Sequence, residues 1–205
     1  MNTLKPKILT AGFAGVMVLV ASTLPAQDIA GRGYLSLDVG LALQQDITLQ
    51  RAGDSRRLSF DPGARLDLSG GLHLSESWRA ELELGFIFNS VSAIDGESAG
   101  SSAEYFQVPI MANGIYTLPL HGPIRVYVGA GLGGVASMFW NNLFDADDSF
   151  TFGYQAIVGA KYALNDSLDL GLSYKLLGTL EHDLGPATAD GTFSHSILAA
   201  ITFKF

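Results

Sequence analysis

Gly129, Gly131 and Gly134 fall at the G-x-G-x-x-G spacing that, between a strand and a helix, would cradle a pyrophosphate on backbone N–H groups. Val135, Ala136 and an aromatic stretch follow and do not open a helix, so these glycines read as small residues on a strand. Asp145, Asp147 and Asp148 bring together the carboxylates a hard cation wants, but without the rest of a calcium loop they read as a solvated acidic segment. His195 could serve as a general base, which needs a nucleophile within hydrogen-bond reach. Position 197 is Ile, and Ser194 and Ser196 point to the other face, so His195 reads as an ordinary interfacial histidine. His73, among Arg65, Asp67 and Arg79, reads as part of a polar network. The largest constellation is ionic: Asp38, Asp67, Glu81, Glu83 and Asp169 share one face of their segments with Arg65, Arg79, Arg125, Lys161, Lys175 and Lys204. Buried ions must be paired, so five acids against six bases predict an interior held by salt bridges. Arg79, Glu81 and Glu83 would stack along one wall, facing Arg125, Lys161, Lys175 and Lys204.

The elements that position these charges alternate with period 2 from Tyr34 onward, the signature of strands with two unlike faces. Leu35, Leu37, Val39, Leu41 and Leu43 oppose Ser36, Asp38, Gly40 and Ala42. Trp78, Ala80, Leu82, Leu84 and Phe86 oppose Arg79, Glu81 and Glu83. Segments of this kind recur at 64–74, 105–117, 125–132, 152–162, 168–175 and 195–205, making eight. Each has about ten residues, the length that crosses a bilayer at a tilt. Pro109 is awkward in the fourth segment, because proline cannot donate to a ladder and marks an edge or a bulge. Connectors alternate between tight (75–77, 118–123, 165–167) and long and polar (44–61, 89–104, 139–149, 178–192). Aromatic residues gather near segment ends: Trp78, Tyr116, Tyr162, Phe203 and Phe205 on the short-turn side, and Phe60, Phe88, Phe106, Phe139, Trp140 and Phe152 on the long-loop side. Two interfacial girdles follow.

Which face points inward decides between a water-soluble barrel and a membrane barrel. The charged face also carries glycines at 40, 71, 85, 129, 131, 133, 159 and 171, which suits a narrow lumen where side chains interdigitate. Residues 1–26 have the pattern of an export signal, with Lys5 and Lys7, an apolar run from Ile8 to Ala21 and a small-residue site ending at Ala26. Without them the chain, 205 residues in all, has 10 basic and 20 acidic residues, since the 12 Lys and Arg include Lys5 and Lys7. Such acidity argues against nucleic acid as a partner. The absence of cysteine excludes disulfides, thiol chemistry and a lipidated amino terminus. The expectation is an all-β fold: an eight-stranded antiparallel up-and-down transmembrane β-barrel over 27–205, with short periplasmic turns and long extracellular loops.

The stretches QVPIMANGIYTL (107–118), VYVGAGLG (126–133) and YQAIVGAKYALNDSLDLGLSYK (154–175), with Phe205, resemble the outer-membrane β-barrel domain family, the small OmpA-like and opacity-type surface proteins of Gram-negative bacteria. The resemblance implies the outer membrane as location and the barrel as fold, with no catalytic residues and no cofactor or metal. It also implies that Phe205 and Phe203, on one face of the last strand, are read by the barrel assembly machinery. Outer-membrane lipids and lipopolysaccharide are the expected partners of a monomer; for Asp145, Asp147 and Asp148, divalent bridging to lipopolysaccharide is the alternative to a plain solvated loop. The expected function is non-enzymatic: a largely closed lumen, and acidic extracellular loops serving envelope structure or surface interaction. The alternatives are a lipid A-modifying barrel enzyme of acylhydrolase type and a porin-like small-solute channel.

Overall fold

Each alternating segment forms a strand in the computed structural model, which describes residues 32–51, 54–98, 103–120, 122–141, 149–184 and 187–205. The strands are β1 (Gly33–Gln44), β2 (Ile47–Arg51), β3 (Asp54–Phe60), β4 (Gly63–His73), β5 (Trp78–Ile94), β6 (Glu97–Ser98), β7 (Ala103–Thr117), β8 (Ile124–Asn141), β9 (Ser149–Ala163), β10 (Leu168–Thr179), β11 (His182–Leu184), β12 (Ala187–Ala189) and β13 (Phe193–Lys204). Eight of them pair antiparallel in the ring β1–β4–β5–β7–β8–β9–β10–β13. β13 returns to β1, so that Leu37 lies opposite both Leu68 and Ile201 and the barrel closes. Closure leaves no unpaired edge among these eight strands.

Exposure settles which face is which. Leu35, Leu37, Val39 and Leu41 are 47–63% exposed, whereas Ser36 and Asp38 between them are 3% and 7% exposed. The same inversion holds around the ring, with Leu132, Leu172 and Ile201 outside and Arg65, Asp67 and Lys175 inside. A water-soluble barrel would do the reverse, so the outer surface is one that hydrocarbon covers.

Pro109 marks neither an edge nor a bulge. Leu84↔Ile110 and Ile87↔Gln107 keep a single register on either side of it, and pairing with β5 lapses only between them. On the other flank Pro109 still sits opposite Val135 of β8. The missing donor is absorbed inside one long ladder because the neighbouring pairs hold it in place.

The long connectors also differ from the sequence reading. β5 has 17 residues and β8 has 18, more than the about 9–11 needed to cross the bilayer. Their ends stand beyond the membrane, and connectors expected to be plain loops build on the end of β5 in the order β11-β12-β2-β3-β5. The β5–β6 turn is Asp95 and Gly96, both at positive φ (53° and 84°), as a tight primed hairpin requires. The lumen is not uniformly polar either: Ile87, Met111, Ile115, Val135, Ile157, Leu177 and Leu198 are buried inside.

Candidate functional site

The interior is the place where this chain concentrates reactive side chains, and β-strand parity delivers them there. Arg65 and Asp67 are two residues apart on β4, so both point inward and touch: Arg65 Nε donates to Asp67 Oδ1 at 2.8 Å and Oδ2 at 3.0 Å. Arg65 Nη2 reaches Glu83 Oε1 on the adjacent β5 at 2.9 Å. Lys175 crosses from β10, donating to Asp67 Oδ2 and Glu83 Oε2 at 2.8 Å each, with Asp38 Oδ2 at 3.5 Å. Two cations thus meet three carboxylates at full burial, and breaking such a group strands a charge in low dielectric. Asn113 and Gln155 complete it. Asn113 donates to Glu83 at 3.1 Å and to Glu81 at 3.3 Å, and accepts from Gln155 Nε2 at 2.7 Å. Neither amide was singled out from the sequence, although both share the lumen parity.

The expected wall of Arg79, Glu81 and Glu83 divides instead. Alternate residues climb about 6.8 Å along a strand, so each of the three sits at its own level. Of the four cations expected opposite them, only Lys175 reaches a glutamate of the wall. Glu81 accepts from the Tyr34 hydroxyl at 2.8 Å, not from a cation. Arg125 and Lys204 both turn to Asp169, at 3.1 Å and 2.7 Å. Lys161 donates to Thr202 at 2.9 Å. Arg79 donates to Thr117 at 3.1 Å and lies 4.5 Å from the centre of the Tyr127 ring. That ring can lie flat because Gly159 faces it, where a Cβ would come within 2.5 Å.

On the long-loop side of the charges an apolar cluster lies in the lumen. Ala42, Ile87, Met111, Val135 and Leu177, at most 1% exposed, pack together. Beyond them Tyr105 bonds Ser137 at 3.2 Å and accepts from Gln107 at 3.0 Å. Ile47 and Ala189, carried by the loop strands, pack on Tyr105 with Leu49 and Phe60. Phe60 is therefore part of a lid over the barrel and not of a lipid-facing girdle.

Trp78, Tyr116, Tyr162, Phe203, Phe205 and His195 lie outside the lumen. Trp78 and Tyr116 pair across β5 and β7 with ring centres 5.0 Å apart, and Tyr162 is exposed at the same end. Phe203 and Phe205 face outward, and the Phe205 N–H donates to the Gly33 carbonyl at 3.0 Å. Trp140 lies in β8 opposite Glu104. His195 is bonded through Nδ1 to the Tyr174 hydroxyl at 2.7 Å and through Nε2 to Gln45 at 3.2 Å, with no serine beside it in either contact. His73 lies on the lumen side beside Tyr34, with ring centres 5.4 Å apart and planes tilted by 55°. Gly129, Gly131 and Gly134 are mid-strand in β8. Asp145, Asp147 and Asp148 and the export segment 1–26 lie outside the described residues.

Comparison with known proteins agrees with this architecture. The chain is similar in fold to Neisserial surface protein A (TM-score 0.60, 17% identity, 84% of this chain and 97% of that one). It is similarly close to the outer membrane protein OprG from Pseudomonas aeruginosa (TM-score 0.57, 17% identity, 86% and 98%). A major outer membrane protein from Thermus thermophilus is a third such neighbour (TM-score 0.50, 14% identity, 84% and 99%). At these identities the likeness is one of fold. No curated relative matches the chain by sequence. The model of the outer membrane protein beta-barrel domain, however, matches residues 11–205, and with a closed eight-stranded barrel greasy outside and charged within, the chain belongs to the outer-membrane β-barrel domain family.

Proposed function

We propose that the protein is a non-enzymatic outer-membrane barrel whose lumen is closed, and that it serves envelope structure or surface interaction through acidic extracellular loops. The apolar tier of Ala42, Ile87, Met111, Val135 and Leu177 carries this reading. An ion passing it would trade its water for a lining made largely of apolar side chains, and an eight-stranded interior is only as wide as the side chains that fill it. The buried Lys175–Glu83–Arg65–Asp67 group beneath adds a second obstruction. Loops at 89–104, 139–149 and 178–192 carry acids and no Lys or Arg, so the surface they present is anionic. In this reading residues 1–26 are cleaved on export, residues 27–205 are inserted as a monomer by the barrel assembly machinery, and lipopolysaccharide surrounds the outer rim. His195, engaged by Tyr174 and Gln45, lacks the arrangement of a hydrolytic base.

Single-channel recording in planar bilayers tests closure. The expected record is silent; steady current on the order of nanosiemens, as a wide aqueous pore passes, would make the protein a channel. Mass analysis of lipid A from cells with and without the protein tests the non-enzymatic part, with identical patterns expected.

A further inference from the structure

β4 ends at the short-turn side on His73, whose side chain lines a cavity of about 40 Å³ in the mouth of the lumen. That volume admits a water or two and no larger solute. His73 stands directly opposite Arg79 in the β4–β5 register, and both line the same cavity. Two like charges at such a cross-strand position destabilise a sheet. Tyr34 of β1 lies beside both of them. Its ring centre is 5.4 Å from that of His73, 5.9 Å from the Arg79 guanidinium and 5.2 Å from Lys161 Nζ of β9.

The mouth around the imidazole already carries four cations. Arg125 of β8 and Lys204 of β13 line it together with Arg79 and Lys161. Two carboxylates line it as well: Asp169 of β10, which Arg125 and Lys204 share, and Glu76, exposed in the turn after β4. β7 brings the uncharged Thr117, which accepts from Arg79, and β8 also brings the Tyr127 ring, which lies against Arg79. The Tyr34 hydroxyl is turned away from the mouth, to Glu81. Among the described residues, the five lumen carboxylates together with Glu76 balance the six lumen cations. An uncharged His73 therefore completes a neutral interior, and a proton on it adds a surplus charge opposite Arg79 where little water is at hand.

We propose that His73 is an acid-sensitive latch of the periplasmic mouth: uncharged, it rests beside Tyr34 and narrows the mouth, and once protonated it is driven from Arg79 toward Glu76, which loosens this end of the barrel. Glu76 follows three residues later, in the turn, where water reaches the ion pair that forms. In the unfolded chain an imidazole takes its proton at about pH 6.5, and the folded mouth opposes that proton. Stability is therefore full above that pH and is lost as the pH falls below it. The apolar cluster and the Lys175 ionic group lie farther up the lumen, so the latch acts whether or not the barrel conducts.

The test melts the full chain in detergent at pH 7.5 and pH 5.5, a window in which imidazole is the side chain that ordinarily changes charge, with unfolding followed by circular dichroism. The wild-type midpoint should be lower at pH 5.5 by about 3 °C or more. His73→Gln, uncharged at both values, should remove most of that difference. Glu76→Gln, a change in an exposed turn, should enlarge it, because the imidazolium loses its carboxylate; no enlargement would overturn the movement toward Glu76. NMR supplies a readout that a merely structural role would not move. The contact between the His73 and Tyr34 rings, present at pH 7.5, should disappear as His73 takes its proton. An equal pH difference in wild type and His73→Gln, or a ring contact that persists after protonation, overturns the proposal, and the wild-type NMR titration decides even if a variant fails to fold.

Discussion

The Pro109 ring occupies the space that a side chain at position 85 would need: a Cβ on Gly85 would lie 2.7 Å from Pro109 Cγ and 2.7 Å from Asp67 Oδ1. The proline that interrupts the β5–β7 ladder thus rests on a glycine of the partner strand, beside a carboxylate of the central ionic group. Gly85→Ala should destabilise the barrel by about 1–3 kcal/mol, the usual cost of overpacking, read as a lower midpoint in urea unfolding. Adding Pro109→Ala should recover only part of this, since the contact with Asp67 remains. Full recovery would mean that Asp67 gives way freely.

Glu81 and Glu83 are neighbours of one face with unequal duties. Glu83 carries Arg65 and Lys175, whereas Glu81 holds a phenol and an amide. Glu83→Gln should cost about 3 kcal/mol, as for a buried pair that loses one partner, and Glu81→Gln about 1 kcal/mol, the scale of an ordinary hydrogen bond. Equal losses would show that the two-cation group is not the stronger tie.

Lys175→Met removes the strut that spans from β10 to the carboxylates of β4 and β5. Asp67 and Glu83 then share Arg65 alone, and a loss of about 3–5 kcal/mol is expected. The variant should appear as unfolded-mobility protein at a lower temperature than wild type on unboiled gels. Bilayer recordings of the same variant should stay silent, because the apolar tier is untouched.

Phe205 packs its ring against Gly33, whose Cβ would come within 2.6 Å of it. If the assembly machinery reads the last strand through Phe205 and Phe203, Phe205→Ala should lower the amount of inserted barrel in cells while refolding in detergent is unchanged. An equal fall in both would assign Phe205 to stability and not to recognition.

Strand parity made most of the barrel legible, because a period of two with greasy and charged faces has few other meanings. It told which residues share the lumen. It could not tell which of them meet, since contact across a barrel depends on strand tilt and stagger as well as parity. That is why Lys204 and Arg125 fall to Asp169, and why Arg79 finds tyrosines instead of a carboxylate. The lumen hydrophobes escaped notice for a related reason: Ile87 and Leu177 neighbour oily outward residues, so their segments look uniformly apolar there. The strands Ile47–Arg51 and Asp54–Phe60 are polar and short, with little alternation to read. Asp95-Gly96 was the available hairpin signal, since that dipeptide suits two positive φ angles.

The small sheet above the barrel ties the first and last long connectors together: Leu49 and Gln50 lie opposite Ala189 and Thr188, and Gln50 Nε2 bonds Asp190 Oδ1 across 140 residues of sequence at 3.3 Å. Whatever touches this rim meets a composite epitope built by distant parts of the gene. The two connectors cannot diversify independently, for an insertion in one would shift the strand pairing of the other. Peptide tags and grafted sequences belong elsewhere on the rim.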